Sequence, residues 1–593
     1  MDESCLNTVK NNKSDAGVPW LPVMGCFRYA AFPVFEWQPR LSQMKENGID
    51  LLSVPVVWSR HETVQKEPSF VGSRNLHRFL QLCVQEKMKT ILKIGPWHPD
   101  MPNGGAPMWL EAVQEEEVLL ALTQFFLRVY TQVQPYLQPD GPVVAVQIAC
   151  APDTPPDVCA KVQAVAAAIG LCTASAQAAL YAAPAQAENR YVFSEKNGAF
   201  SVGAGFCVTE ENRAVIYAKE IEAESIVCLG SGAKMLDYSC FADGTEAIQA
   251  RKETRLFALF CRDFGAALCT MQQYTSSVEN AVKGAGSLST AVRHNGKQGY
   301  LFLNNYQPER SMMPYPQEIL SAVVDDEIIV YPAQGIAPGE AFFYPFNMPL
   351  ADGLLLKYAD ATPLCILHGW EKPVYVFYAG HKPVFELEGD ENAADILTIS
   401  KEKACYSHKI CTAGKEYLVV CADELYTDVY GRHIAGIHGC GMQVFPAFSN
   451  APHGFLQTYQ SGRWAAYQPK AAPVDLSVQV QQDSAASETH TYTLHVSANT
   501  QNKIEVLLQI DAVYDTACLV IDGQQVSTSF YTGEVWQVHI THVKPPFTAQ
   551  LVLQPLYTGA AIQLPQWPPF RNGIGCYVNT VCARQIFDVN FRL

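Results

Sequence analysis

The sequence lacks an apolar run of the ~18 residues that a membrane-spanning helix needs. Its opening stretch, MDESCLNTVKNNKSDAG, lacks a basic segment followed by an apolar one. A cytoplasmic protein with no membrane partner is therefore expected. Positive charge is also scarce. Lys and Arg number 42 against 58 Asp and Glu, for a net charge of −16. A nucleic-acid partner is not expected, because phosphate binding needs clustered cations. No CxxC pair occurs among the 19 cysteines. Cys405, Cys411 and Cys421, or Cys440 beside His433 and His438, are the candidate ligand groups, but the paired cysteines that precede the histidines of a zinc finger are missing. No metal site is expected, and the thiols read as reduced, small, buried side chains. Repeats, low-complexity tracts and a phosphate-cradling glycine loop are absent, and no cofactor is expected. What is present is a hydrophobic fraction of 48% against 17% charged. That balance builds large cores and excludes a disordered chain.

Residues 1–18 read as a polar tail. From 19 to 285, short β-like runs alternate with helix-like ones. The expected strands are Met24–Tyr29, Leu51–Trp58, Thr90–Trp97, Val143–Ile148, Leu171–Ala174, Ala179–Ala182, Tyr191–Glu195 and Lys234–Phe241. Helices are expected over Asn75–Glu86 and Glu115–Val133, and those after strands four to six look short or missing. Eight strands in this span predict an α/β fold of the (β/α)8 TIM-barrel class. Residues 286–465 read as β-rich accessory structure. Residues 466–593 read as a C-terminal β-sandwich of jelly-roll type, with Asp522-Gly523 as a hairpin turn.

In such a barrel, chemistry sits at the C-terminal ends of the strands. Those ends carry Tyr29, the segment Trp58-Ser59-Arg60-His61-Glu62, the loop GPWHPDMPNGGAPMWL, Gln147–Asp153, Glu195 and Asp237–Thr245. Trp20, Trp37, Trp58, Trp97 and Trp109 crowd the first 110 residues. Aromatic faces at strand ends suit the C–H faces of sugars, and equally suit packing at a barrel rim.

These segments, in this order, resemble glycoside hydrolase family 35, which includes many β-galactosidases. GCFRYAAFPVFEWQPRLSQMKENGID resembles its first strand and helix, through Tyr29 and Trp37. WSRHE resembles its tryptophan-to-His-Glu motif. GPWHPDMPNGGAPMWL resembles its Gly-Gly-x-Pro-x-Trp-Leu loop, and SGAKMLDYSCFADGT its strand-eight ending. VYDTACLVIDGQQVSTSFYTGEVWQVHI looks like the family's accessory β-domain.

The resemblance implies a retaining glycosidase acting on β-linked carbohydrate, galactose being the family's sugar. It places the nucleophile at Glu195. It aligns the acid/base position with Ala151, which cannot donate a proton. Asp153, two residues on, is the nearest substitute and reads equally as a turn or capping residue. Tyr29, Trp58, Trp97, His98, Asp100, Cys150 and Tyr238 are the implied sugar-contacting residues. Arg28, Pro55, Asp100 and Ser239 depart from the family's pocket. Three readings stay open: a working β-glycosidase, a catalytically silent sugar-binding protein, and a transglycosidase or phosphorolytic variant. Nothing in the sequence fixes an oligomeric state.

Overall fold

The computed structural model describes residues 19–95, 105–112, 115–137, 141–148, 156–171, 218–238, 248–274, 288–307, 310–325, 327–485, 489–560, 567–570 and 572–593. The chain separates into two compact units. Among the described residues the first runs to Glu416, Ile248 and Gln249 excepted, and the second comprises Tyr417–Leu593.

The first unit opens with five strands: β1 (Val23–Cys26), β2 (Leu51–Val57), β3 (Lys89–Gly95), β4 (Val143–Ile148) and β5 (Leu236–Asp237). They form one parallel sheet in the order β4-β3-β2-β1-β5. Every residue of β2 is buried, as expected of a parallel strand covered on both faces. The helices described up to Cys269 are α1 (Val34–Glu46), α2 (Trp58–His61), α3 (Leu76–Gln85), α4 (Glu115–Val133), α5 (Pro156–Ile169), α6 (Ala218–Gly230) and α7 (Ile248–Cys269). α3 shows why such segments are helical. Leu76, Phe79, Leu80 and Cys83 recur on one face and are buried, and the Asn75 side chain caps the first turn at Arg78 N.

The strand expected over Met24–Tyr29 stops at Cys26, because the chain turns into a 3-10 segment at Tyr29–Ala31 before Pro33 leads into α1. A helix after β4 was expected to be short or missing, yet α5 spans 14 residues. Its core contacts are Val162 and Ala166 rather than large apolar groups. The strands expected over Ala179–Ala182 and Tyr191–Glu195 lie outside the described residues, as do Cys172–Ala174, Ser239–Phe241 and the 1–18 tail. Leu171 is described, and it lies in no strand.

The unit continues with β6 (Gln272–Tyr274), β7 (Ser289–His294), β8 (Gly299–Asn304), β9 (Tyr315–Glu318), β10 (Ser321–Val324), β11 (Glu327–Val330), β12 (Gln334–Ile336), β13 (Ala341–Ala351) and β14 (Leu354–Ala359). Strands β6, β7, β8, β13, β14 and Phe385–Gly389 make an antiparallel sheet. β10–β11 and β9–β12 form two separate antiparallel ribbons. β7 joins the β-region to the helices through buried Arg293. Its guanidinium donates to the carbonyls of Leu229 (2.6 Å), Leu268 (2.9 Å) and Met271 (3.2 Å), where α6 and α7 end. Helix C-termini leave such carbonyls without intrahelical partners.

The second unit holds two five-stranded antiparallel sheets. Leu494, Val496, Leu519 and Leu551 from one meet Val506, Leu508, Ile510 and Val538 from the other in a single core, which makes a β-sandwich. It reaches back to the hairpin Glu424–Asp428/Gly431–Gly436, whose second strand pairs with Tyr577–Phe591. Asp522 and Gly523 both have positive φ, 51° and 77°, and close the hairpin between Thr516–Ile521 and Gln524–Phe530.

Candidate functional site

In a parallel sheet all C-terminal strand ends share one edge. The segments leaving β1 and β2 build a sealed hub there. Tyr29 and His61 lie beside each other, with Tyr29 Oη 2.6 Å from His61 Nε2. His61 Nδ1 is 3.0 Å from the Ser69 carbonyl oxygen, which only accepts. The ring therefore carries its proton on Nδ1, and Nε2 accepts from the Tyr29 hydroxyl. Burial drives the His61 pKa down to about 4, with Arg74 adding to the effect against the Ser69 bond. Tyr29 stacks on Phe79 of α3 and meets Trp37 of α1 edge-on, and burial pushes its hydroxyl far above the usual range.

Trp58 begins α2 directly after β2. Its Nε1 donates to Glu62 Oε2 (2.9 Å), and Glu62 Oε1 accepts from Lys66 N (2.8 Å). The Glu62 carbonyl accepts from Trp109 Nε1 (2.9 Å). One residue thus ties the segment after β2 to the segment after β3. The Trp58 ring stacks on Phe125 of α4 and meets Trp109 edge-on.

Strand alternation assigns the two faces of the sheet. A Cβ added to Gly25 would meet Met44 and Ile49, so Gly25 and its register partner Leu52 face the helices. The opposite face takes Met24 and Cys26 of β1, Ser53 and Pro55 of β2, Ile91 and Lys93 of β3, Ala145 and Gln147 of β4, and Asp237 of β5. Met24, Leu51, Ile91 and Met235 make an apolar cluster. Ser53, Lys93, Gln147 and Asp237 add polar groups to that face. Ser53 and Asp237 are fully buried. Ser53 Oγ and Gln147 Oε1 are buried with no hydrogen-bond partner among the described residues.

Of the residues expected to contact sugar, Tyr29, Trp58 and Tyr238 are described. All three are buried on the helix side. The Tyr238 N–H donates to the Met24 carbonyl (2.7 Å), and its side chain reaches α6. There Ser225 Oγ gives its proton to the Ile221 carbonyl (2.6 Å) and accepts from the Tyr238 hydroxyl (2.8 Å). Trp97, His98, Asp100, Cys150, Ala151, Asp153 and Glu195 lie outside the described residues. The sequence reading overlooked His61, Glu62 and Trp109 as a hub, and Ser53, Lys93, Gln147 and Asp237 as a polar face. The i,i+4 spacing of Trp58 and Glu62 and a lysine inside the apolar run Thr90–Gly95 were the available signals.

Among the described residues no group of His, Cys, Asp and Glu is arranged to hold a metal ion. No described helix is long and apolar enough to cross a membrane. Cys83 and Cys261 lie in helices, and burial raises both thiols.

The profile of "Glycosyl hydrolases family 35" matches residues 16–150, the stretch that contains the hub. Beta-galactosidase of Mus musculus is 29% identical over 141 residues, 22% of this chain and 22% of that protein. The Homo sapiens beta-galactosidase is 29% identical over 143 residues, 22% of this chain and 21% of that one. Beta-galactosidase 11 of Oryza sativa subsp. japonica is 26% identical over 135 residues, 21% of this chain and 16% of its own. The match to these relatives spans about a fifth of their length. A solved structure, the exo-beta-1,4-mannosidase Op5Man5 from Opitutaceae bacterium strain TAV5, is 13% identical, covering 41% of this chain and 56% of that chain at a TM-score of 0.29. Over residues 16–150 this chain is similar to glycosyl hydrolase family 35.

Proposed function

We propose that this chain is a carbohydrate-active protein whose first unit contains a glycosidase-like (β/α)8 barrel acting on β-linked sugars. The carrying observation is that the family match over 16–150 coincides with the sealed hub at the ends of β1 and β2. The return of β5 to pair in parallel with β1 supports the barrel, since closure asks this of the last strand. In the reading favoured here, a Glu195 carboxylate oxygen attacks the anomeric carbon as the bond to the leaving oxygen breaks. A proton passes to that oxygen from a neighbouring acid, for which Asp153 is the candidate. Water then releases the sugar from the glutamyl ester, with the same acid acting as base. The galactose expectation rests on the names of the relatives. A cytoplasmic location belongs to the same proposal.

A second reading, a catalytically silent sugar-binding protein, is favoured by the alanine at 151, because losing general acid/base catalysis typically costs 10²–10⁴-fold. An aryl β-galactoside with a very good leaving group separates the two, because such a phenol needs little protonation. The glycosidase reading expects a burst of phenol that azide accelerates and that Glu195→Gln abolishes. Sugar binding without a burst and without labelling by a fluorosugar overturns it in favour of the silent protein.

A further inference from the structure

Where the second unit's hairpin Glu424–Asp428/Gly431–Gly436 meets the strand Tyr577–Phe591, the groups around His433 make conflicting demands on its ring. Nδ1 lies 2.9 Å from Asp588 Oδ1, and a carboxylate only accepts, so Nδ1 carries a proton. Asp588 Oδ2 accepts from the Tyr426 hydroxyl (2.7 Å), and the Tyr426 ring stacks on the imidazole. Nε2 faces two partners of opposite kind. Asp428 Oδ1, 3.1 Å away, asks Nε2 to donate. Asn590 Nδ2, 3.0 Å away, asks it to accept. The Asn590 amide is fixed in that orientation, because Nδ2 also donates to the Tyr430 carbonyl (3.1 Å). A neutral ring satisfies Asn590 and sets its lone pair against the Asp428 carboxylate. A protonated ring satisfies Asp428 and sets its N–H against the amide hydrogens of Asn590.

Both partners of Nε2 also anchor the turn at the tip of the hairpin. Asp428 Oδ1 accepts from Tyr430 N (2.7 Å) and Gly431 N (3.2 Å). The Tyr430 carbonyl accepts from Asn590 Nδ2 and from Arg592 Nη2 (3.1 Å). A Cβ added to Gly431 would come within 3.2 Å of Asn590 Nδ2, so the turn lies directly on that amide. The tip projects Val429 and Tyr430, 75% and 71% exposed, whereas His433 is buried.

We propose that His433 is a pH-sensitive switch for this turn. Deprotonated, Nε2 takes a hydrogen bond from Asn590 and ties the hairpin to the C-terminal strand. Protonated, it donates to Asp428 and draws on the oxygen that holds Tyr430 N and Gly431 N. The anchorage of the exposed tip therefore changes with the proton. Among the described residues, Tyr426 and Asp428 face the ring from its own hairpin, and Asp588 faces it from the C-terminal strand. Burial and Asp588 keep the Tyr426 hydroxyl protonated; Glu505, paired with His539 (3.1 Å), acts on it from the next strand. Arg592 reaches the turn, and Arg432 lies over Phe591 (6.0 Å). The switch is independent of any catalytic assignment.

The full chain, with tyrosines carrying ¹³C at their ε carbons, gives the readout by NMR. The Tyr426 signal reports the charge on the ring it stacks against, and the Tyr430 signal reports the turn. Tyr426→Phe and Tyr430→Phe assign the two signals. Between about pH 8 and about pH 5, which brackets the ordinary titration of histidine, both should shift with one common midpoint. His433→Gln should abolish both shifts. Asp428→Asn, whose side-chain oxygen can still hold the turn, should move the midpoint to lower pH, because the protonated ring has lost its anionic acceptor. Circular dichroism melting checks that the variants fold, and His433→Asn replaces the glutamine variant if that one does not. A Tyr430 signal that stays still, whether or not Tyr426 titrates, overturns the proposal. So does a Tyr430 shift that survives in the histidine variant, or a midpoint that Asp428→Asn leaves unchanged.

Discussion

The two faces of the parallel sheet are cut from the same strands and have opposite characters. The helix-facing side is closed. Its aromatic rings stack on one another, and the polar atoms they carry are spent inside the protein: Tyr29 on His61, Trp58 on Glu62, Tyr238 on Ser225. The other face combines an apolar cluster with Ser53, Lys93, Gln147 and Asp237, and keeps acceptor capacity at Ser53 Oγ and Gln147 Oε1. The difference teaches that aromatic residues at strand ends hold the segments in place here, while polar strand residues one position out of phase stand on the opposite face.

The largest break in that contrast is Trp58→Ala. Removing a fully buried indole leaves a cavity against Phe125 and Trp109 and strips Glu62 Oε2 of its donor. A loss of about 3–5 kcal/mol is expected. Denaturant unfolding, followed by the transition that reports the first unit, measures it. An effect under about 1 kcal/mol would mean that the helix-side face is not the structural one.

Next in size is the pH response of His61. Its pKa falls from 6.5 to about 4 on folding. A lowered histidine pKa means that the unfolded chain takes up the proton first. The stabilisation is complete above pH 6.5 and is lost as pH falls from 6.5 towards 4, amounting to up to about 3 kcal/mol. His408, also lowered by burial, works in the same direction. Asp50, raised to about 6 by burial, works against both by gaining stability as pH falls. The informative quantity is therefore the difference between wild type and His61→Leu, each measured at pH 7.5 and 4.5. The wild type should lose more stability across that interval. Parallel losses would show that the His61 ring is not held neutral.

Much of the fold was legible because local physics repeats. The helix at Glu115–Val133 follows from apolar residues at helical spacing, and Val143–Ile148 from a short β-branched run. α5 was underestimated because alanines pack without marking a face. The site was less legible, for a different reason. Motif position located the strand ends, but the face a side chain takes depends on the phase of alternation along its strand. In the phase set by Gly25 and Asp237, Tyr29 and Tyr238 both fall on the helix side. The bond from Trp109 to the Glu62 carbonyl crosses 47 positions, and no local pattern encodes it.

The smallest effect sharpens the contrast most. Ser53 is fully buried, and its Oγ has no hydrogen-bond partner among the described residues. A buried hydroxyl left unpaired costs about 1–3 kcal/mol, and alanine removes it while keeping the Cβ. Ser53→Ala should leave stability unchanged or raise it by about 1 kcal/mol. If this face meets the sugar, the same variant should weaken binding of a β-galactoside in isothermal titration, because a hydroxyl that could pair with the ligand is gone. Trp58→Ala and Ser53→Ala then part company, one costing stability and the other affinity. A stability loss at Ser53 as large as at Trp58, with sugar binding intact, would mean that both faces of the sheet are structural and that the ligand meets the chain elsewhere.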